Sequence, residues 1–405
     1  MFRTNCLICN SRDVLDIMDL GMHPFADTFI SKSRTHLSEK VYPLIVQLCE
    51  SCGNIQLSCE TAPEERYQDH EYSYTSSNSN YSINYWNKYS KDIPKLFSSS
   101  SKLKILEIGS NDGLLLSLLK SYGHDVLGVD ASPAMNELAL KRGVNTKLGI
   151  FDEEFAKNIL NEFGKFDLII ANNVFNHADN PQSFFKATCS LLADKGFFIF
   201  ESPYWMNSIS SGKFDQVYHE HVTYLTAKAT QKIVSMNNMN ISDIQLTEYH
   251  GGSIRFIISN YNNEKGLDKV KKFINQETQL GLYSPMFYRK FMKNLNNKKK
   301  IFMEKIYKNL INSSPLICVG AAAKANTFLN FYGLDNKLVN YVTDASPIKI
   351  GKYTPLTRIL IASDEIIKNY KNPNIIFTAW NVSENLKKII HKINPNYLEH
   401  NPYEN

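Results

Sequence analysis

The chain reads as an α/β protein in three parts: a small cysteine-bearing module, a central parallel sheet with helices on both faces, and a second, smaller α/β unit. Three observations predict this. Four cysteines stand in two C-x-x-C pairs before residue 53. From Lys102 onward, short apolar runs alternate with helical stretches, the pattern of a parallel sheet covered on both sides. After a basic helical stretch the same alternation restarts at Leu316. The expected divisions are 1–70, 71–247 and 248–405.

A chain of 405 residues has room for two or three domains. The net charge is only +5 and the basic residues are dispersed, whereas nucleic-acid binding wants a concentrated basic stripe. The densest cluster, Lys298 to Lys300 within Arg289 to Lys308, has helical periodicity and reads as a solvated helix face. The N-terminus is polar and reaches Cys6 at once, and no apolar run approaches the length of a membrane span. A soluble, cytoplasmic protein that binds neither nucleic acid nor membrane is expected, as a monomer or small homo-oligomer.

The first module is set by Cys6-Leu-Ile-Cys9 and Cys49-Glu-Ser-Cys52. Each pair can place two thiolates on one ion, and two pairs complete a tetrahedral Cys₄ zinc site. All four positions would then be filled by protein, so the zinc is expected to be structural. A strand or hairpin must fill the 39 residues between the pairs. Residues 71–84, polar and aromatic, read as the exit from this module or as a loop of the active site.

The central part opens with Lys104 to Gly113, Lys-Ile-Leu-Glu-Ile-Gly-Ser-Asn-Asp-Gly. Ile105, Leu106 and Ile108 make a strand, Gly109 and Gly113 bracket a tight turn, and a helix runs on from Leu114. A second strand ends in Asp130, 21 positions after Gly109, where a carboxylate can accept hydrogen bonds from ribose hydroxyls. The unit reads as a nucleoside-binding βαβ. A dinucleotide turn would carry G-x-G-x-x-G. Here Asn111 replaces the middle glycine, and Glu107 and Asp112 would repel a pyrophosphate but suit a cation. The Glu107-x-Gly109-x-x-x-Gly113 pattern resembles the first motif of class I S-adenosylmethionine methyltransferases, whose cofactor carries a sulfonium. The core is then Rossmann-like. Asn173, Phe175 and His177, just past a strand end, should hang over the cofactor, and Phe151 should cover the adenine.

After Pro203 the pattern changes. Tyr218, His219, Glu220 and His221 are contiguous, and the plain reading of such a cluster is acid–base chemistry. An exposed loop or a zinc site using both histidines would carry the same residues. In the last part, Gly320 to Ala323 form a small-residue turn before Lys324, which can hold phosphate at a helix N-terminus or merely pack.

Taken in order, these motifs resemble the sugar C-methyltransferases that act on nucleotide-linked 4-keto-deoxysugars. The likeness spans nearly the whole chain. It runs through the C-x-x-C pairs, Glu107 to Gly113, Asn173 with His177, Tyr218-x-Glu220-His221, His250 to Arg255, Gly320 to Lys324, and Ala379-Trp380-Asn381. The resemblance implies a zinc-binding domain, a class I methyltransferase domain and a C-terminal Rossmann-like domain for the nucleotide-sugar. It implies S-adenosylmethionine and Zn²⁺ as cofactors, and a TDP- or GDP-linked keto-deoxysugar as substrate, methylated at C3. It puts His221, Glu220, Tyr218 and Tyr74 in the catalytic site, with His221 as the base. Glu107, Gly109, Asn111, Gly113, Asp130, Phe151 and Asn173 fall to the cofactor, and His177, Arg255 and Lys324 to the substrate. Tyr353-Thr-Pro-Leu departs from the family's more proline- and glycine-rich stretch. The alternatives are O- or N-methylation of a small metabolite, and a zinc-bearing scaffold with a relic cofactor site.

Overall fold

The computed structural model describes residues 2–67, 75–77, 79–97, 102–261, 264–310 and 314–403. Tyr74 lies outside the described residues.

The strands in chain order are β1 (Val14–His23), β2 (Tyr42–Cys49), β3 (Ile55–Leu57), β4 (Lys104–Ile108), β5 (Asp125–Asp130), β6 (Thr146–Leu148), β7 (Phe166–Asn172) and β8 (Leu192–Pro203). Then come β9 (Thr223–Tyr224), β10 (Asn240–Thr247), β11 (Ser253–Ser259), β12 (Leu316–Val319), β13 (Tyr341–Thr343), β14 (Ile361–Ala362), β15 (Asn374–Phe377) and β16 (Leu398–Glu399). The first sheet is antiparallel, in the order β1-β2-β3-β9. The β1–β2 hairpin fills the gap between the cysteine pairs. The fourth strand comes from far along the chain.

The central sheet has the order β10-β11-β8-β7-β4-β5-β6. Only β11 runs against its neighbours. This is the class I methyltransferase core that the resemblance predicts. The inner strands are apolar runs because helices cover both faces. Ile105, Leu106, Leu168, Ile169, Ile170 and Phe198 are all fully buried. Since β4 lies between β5 and β7, the order reverses at its carboxyl end, and ligands of such sheets bind at that crevice.

One expectation is corrected here. The strand at Ile254 to Ile258, read as the opening of the C-terminal unit, belongs to the central sheet between β8 and β10. Every residue of β11 is buried, so it needs a neighbour on both edges. The helix Glu264–Leu280 follows it, burying Val270, Phe273 and Ile274 against the central core.

The last sheet is parallel, in the order β14-β13-β12-β15-β16. It shares one apolar core with the first sheet. Leu44, Val46 and Leu48 pack with Leu316, Phe328 and Val342, bridged by Leu295, Phe302 and Ile306 of the long helix Pro285–Leu310. On that helix Lys300 is exposed, whereas Lys299 folds back onto Phe331, donating to its carbonyl and covering its ring.

Candidate active site

The glycine-bracketed turn is built by three left-handed residues: Gly109 at φ 69°, Asn111 at 51° and Gly113 at 75°. Gly109 is required twice over, because a Cβ there would lie 2.2 Å from Val174 Cγ2. Asp130 ties the turn to the end of β5. Its two oxygens accept from the N–H groups of Asn111 at 2.7 Å and Ser132 at 2.9 Å. The Asn111 side chain accepts from the Ser76 N–H at 2.8 Å.

The two acids of the turn part company. Asp112 is taken up by Ser77 and by Arg142 at 3.1 Å. Glu107 is buried, and its Oε2 has no partner among the described residues. Burial, then Asp112 and Asp130, hold its carboxyl well above the ordinary range. An orphaned acid in such a place is relieved by a cation, so the residues present fit the cationic amino-acid end of S-adenosylmethionine. Asn173, at φ 55°, also has a buried Oδ1 beside this crevice with no partner among the described residues. Phe151 is half-buried and meets Phe184 edge-on at 5.2 Å.

The loop from Phe214 to Val222 carries the acid–base cluster. His221 Nδ1 lies 3.0 Å from the Gln216 carbonyl. A carbonyl only accepts, so Nδ1 holds the proton and Nε2 offers its lone pair. Tyr218 OH lies 2.7 Å from that Nε2. The His177 ring stands edge-on to His221, with centroids 4.9 Å apart. Burial pushes His221 down to about 3, with Lys324 adding to the effect, so the imidazole is neutral. Burial likewise lowers His177, with His221 the next contributor.

Glu220, which the resemblance places in the catalytic site beside His221, makes no hydrogen bond to the imidazole, whose ring nitrogens meet Gln216 and Tyr218. Its Oε1 accepts from the N–H groups of Ala26 and Asp27, at 2.9 and 3.0 Å, and so anchors a loop of the first module. Burial raises its carboxyl to about 7. The Ala26 carbonyl in turn accepts from Asn326 Nδ2 at 2.6 Å, and Thr327 Oγ1 donates to the Val217 carbonyl at 2.9 Å. All three parts of the chain therefore meet at this loop.

Arg255 is also corrected. Its guanidinium is occupied within the fold: Nε donates to Glu201 at 2.8 Å, and its terminal nitrogens to Tyr85 and Gln245. It lies over the Tyr89 ring at 4.4 Å. Glu201 is fully buried, and Arg255 is the cation that neutralises it.

Lys324 is 7% exposed. Its Nζ donates to Asn381 Oδ1 at 2.8 Å and sits 4.5 Å from the Trp380 ring centre. Burial lowers it to about 8, against the pull of Asp215. Sequence reasoning missed two members of this region. Asp215 is fully buried and accepts from the Trp380 indole and the Tyr403 hydroxyl, both at 2.7 Å. His250, at φ 53°, accepts at its carbonyl from Gln216 Nε2 at 3.0 Å. Its turn was visible as His-Gly-Gly, but nothing marked it as near enough to His221 for that ring to help lower its pKa.

The cysteine pairs do converge. The sulfurs of Cys6 and Cys52, and of Cys9 and Cys49, are 3.6 Å apart, and all four lie within 4.8 Å of one another. Tetrahedral zinc with Zn–S bonds of about 2.3 Å would set sulfurs about 3.8 Å apart. The donor set fits zinc and leaves no vertex open.

Three family models match the chain in order: "Putative zinc binding domain" over residues 6–67, "Methyltransferase domain" over 81–242, and "C-methyltransferase C-terminal domain" over 248–396. The chain is 24% identical to C-methyltransferase NovU of Streptomyces niveus, over 93% of this chain and 89% of that protein. The chain is an S-adenosylmethionine-dependent methyltransferase. It is a homologue of that C-methyltransferase along nearly its whole length, with the zinc-binding and C-terminal domains of the same architecture. A shorter match to the ubiquinone biosynthesis O-methyltransferase of Bartonella tribocorum is 26% identical and covers 35% of this chain and 62% of that one. Among solved structures, magnesium protoporphyrin IX methyltransferase of Synechocystis PCC 6803 matches at TM-score 0.36 and 15% identity, covering 44% of the methyltransferase and 83% of that chain. A S-adenosylmethionine-dependent methyltransferase of Clostridium acetobutylicum matches at TM-score 0.35 and 19% identity, covering 44% and 92%. Among the described residues, no helix of the methyltransferase is long and apolar enough to cross a membrane.

Proposed function

We propose that this methyltransferase methylates a ring carbon, C3, beside the ketone of a nucleotide-linked 4-keto-deoxysugar. One observation carries the reading: a neutral imidazole, His221, whose Nε2 lone pair is covered, among the described residues, by the Tyr218 hydroxyl. A ring carbon is not nucleophilic by itself, but beside a ketone its proton becomes acidic and its conjugate base is an enolate. The two groups needed for that step are one hydrogen bond apart. When Tyr218 turns its O–H toward the ketone oxygen, it stabilises the developing enolate and uncovers Nε2 for the proton. His177, edge-on to His221, lines the same spot. S-adenosylmethionine, held by Asp130 and Glu107 along the turn from Gly109 to Gly113, supplies the electrophilic methyl group.

The test is incubation with S-adenosylmethionine and TDP- or GDP-linked 4-ketosugars. Methyl label appears on carbon, and solvent deuterium exchanges at the position next to the ketone with wild type but not with His221→Ala. Label on a hydroxyl alone, with no exchange, would overturn the reading in favour of O-methylation.

A further inference from the structure

Asp215 stands on the short helical turn Phe214–Gln216, at the start of the reacting loop. It is fully buried, and its two oxygens are used unequally. Oδ2 accepts from the Trp380 indole and from the Tyr403 hydroxyl, both at 2.7 Å. Oδ1 is buried with no partner among the described residues. Taking a carboxylate oxygen out of water with no donor to meet it is costly. Two ammonium groups stand near but are engaged elsewhere. Lys324 donates to Asn381 and lies over the Trp380 ring, and Lys213 lies over the Tyr403 ring, its Nζ 3.3 Å from the centre. Burial raises the Asp215 carboxyl, while Lys324, the two hydrogen bonds and Lys213 favour the carboxylate.

This acid is set in the wall of the reacting site. The next residue, Gln216, ties the turn to two histidines. Its carbonyl lies 3.0 Å from His221 Nδ1, and its Nε2 donates to the His250 carbonyl at 3.0 Å. The Trp380 ring that Asp215 holds presses on the same His-Gly-Gly turn, where a Cβ on Gly251 would lie 2.3 Å from it. The Lys324 charge acts on Asp215, His221 and His250 alike. A buried acceptor without a donor, beside the base, suits a hydroxyl group of the substrate. An amino group is disfavoured there, because two lysines already outnumber the one carboxylate.

We propose that Asp215 Oδ1 receives the C2 hydroxyl of the sugar, and so selects a 4-ketosugar that keeps this hydroxyl over its 2-deoxy counterpart. This rests on the ketosugar substrate of the preceding reading. The choice of C2 follows from the chemistry of that substrate. In a 4-keto-6-deoxysugar C1 carries the nucleotide, C3 reacts, C4 is the ketone and C6 is a methyl group. C2 is the remaining carbon with a hydroxyl, and it adjoins the carbon whose proton His221 takes. A site built to bond a hydroxyl rejects the analogue that lacks it, because the buried acceptor is then left alone.

The experiment compares methyl transfer from S-adenosylmethionine to matched TDP- and GDP-linked 4-keto-6-deoxysugars with and without the C2 hydroxyl. The zinc-loaded wild type should favour the hydroxylated sugar by roughly 10- to 100-fold in kcat/KM, the worth of a hydrogen bond to a charged acceptor. Asp215→Asn keeps an oxygen for Trp380 and Tyr403 but loses the charge. It should shrink that preference to roughly 3-fold or less, a change of ratio that a loss of folded enzyme does not produce. Equal use of the two sugars by the wild type overturns the assignment without any variant. So does an Asp215→Asn enzyme that is slower on both sugars alike and keeps the wild-type preference. In both of those outcomes methyl still reaches carbon, so the ketosugar reading stands. Absence of methyl transfer to any ketosugar overturns that reading and this assignment together.

Discussion

Glu220→Gln should stabilise the protein at pH 8 and leave it nearly unchanged at pH 5. The carboxylate accepts two backbone N–H groups from Ala26 and Asp27 in a buried place, and burial raises it to about 7 from an ordinary 4.5. A group whose folded value is raised binds its proton more tightly in the folded state. Its contribution is fully present below the unfolded value and is lost as pH rises through 7. A shift of about 2.5 units corresponds to about 3 kcal/mol, all of it lost by pH 8. Glutamine has no charge to bury and keeps a carbonyl oxygen for both N–H groups. It should therefore gain up to about 3 kcal/mol over wild type at pH 8. Glu220→Ala removes the acceptor and strands two donors at about 1–3 kcal/mol each, so it should fall below glutamine at both pH values. Urea unfolding of the zinc-loaded protein at pH 5 and pH 8 reads these differences. An advantage of glutamine that does not grow with pH, or an alanine variant as stable as glutamine, would refute the reasoning. Methyl transfer by Glu220→Gln should stay within a few-fold of wild type. A stable but inactive glutamine variant would instead put this carboxylate in proton transfer.

Stripping zinc with a chelator should lower the unfolding temperature and methyl transfer together, and added Zn²⁺ should restore both, because the first sheet carries the loop that Glu220 holds. Removal that leaves transfer intact would break that link. Arg255→Met should cost about 3–5 kcal/mol in urea unfolding, the penalty of leaving buried Glu201 unpaired, and a selective rise in KM at full stability would return Arg255 to the substrate. His219 and His400 are lowered to about 4, and His221 and His250 to about 3, all by burial. Below an unfolded value of about 6.5 the unfolded chain gains protons that the folded chain refuses, so stability should fall toward pH 4 by up to about 1.4 kcal/mol per unit per histidine, with Glu220 opposing between 4.5 and 7. A flat profile between pH 6.5 and 4.5 would contradict this.

What the sequence showed plainly is what is local. Gly109 and Asp130 are joined by one βαβ unit, and each cysteine pair is four residues long, so their chemistry is written in their spacing. What it hid depends on distant partners. Glu220 looks catalytic beside His221, but its partners are nearly 200 positions away at Ala26 and Asp27. Arg255 looks like a substrate ligand until Glu201 is found across a strand pair. The group that orients His221 is a backbone carbonyl, which any residue at 216 would supply. The reversed strand β11 was misplaced because its apolar pattern fits the edge of one sheet as well as the interior of another.

The two-residue strand β9 has a consequence for how the chain is assembled. It completes the antiparallel sheet of the zinc module by pairing with β3, and Ile55 meets Tyr224. During synthesis β3 leaves the ribosome well before β9 exists. At about 5–20 residues per second, the intervening stretch takes roughly 10–30 s to make. Over that interval the edge of β3 is open, and the thiolates can already close on zinc. The metal would hold the early module while its last strand is being made. That strand follows His221 by two residues, so closing the first sheet also draws the reacting loop into place.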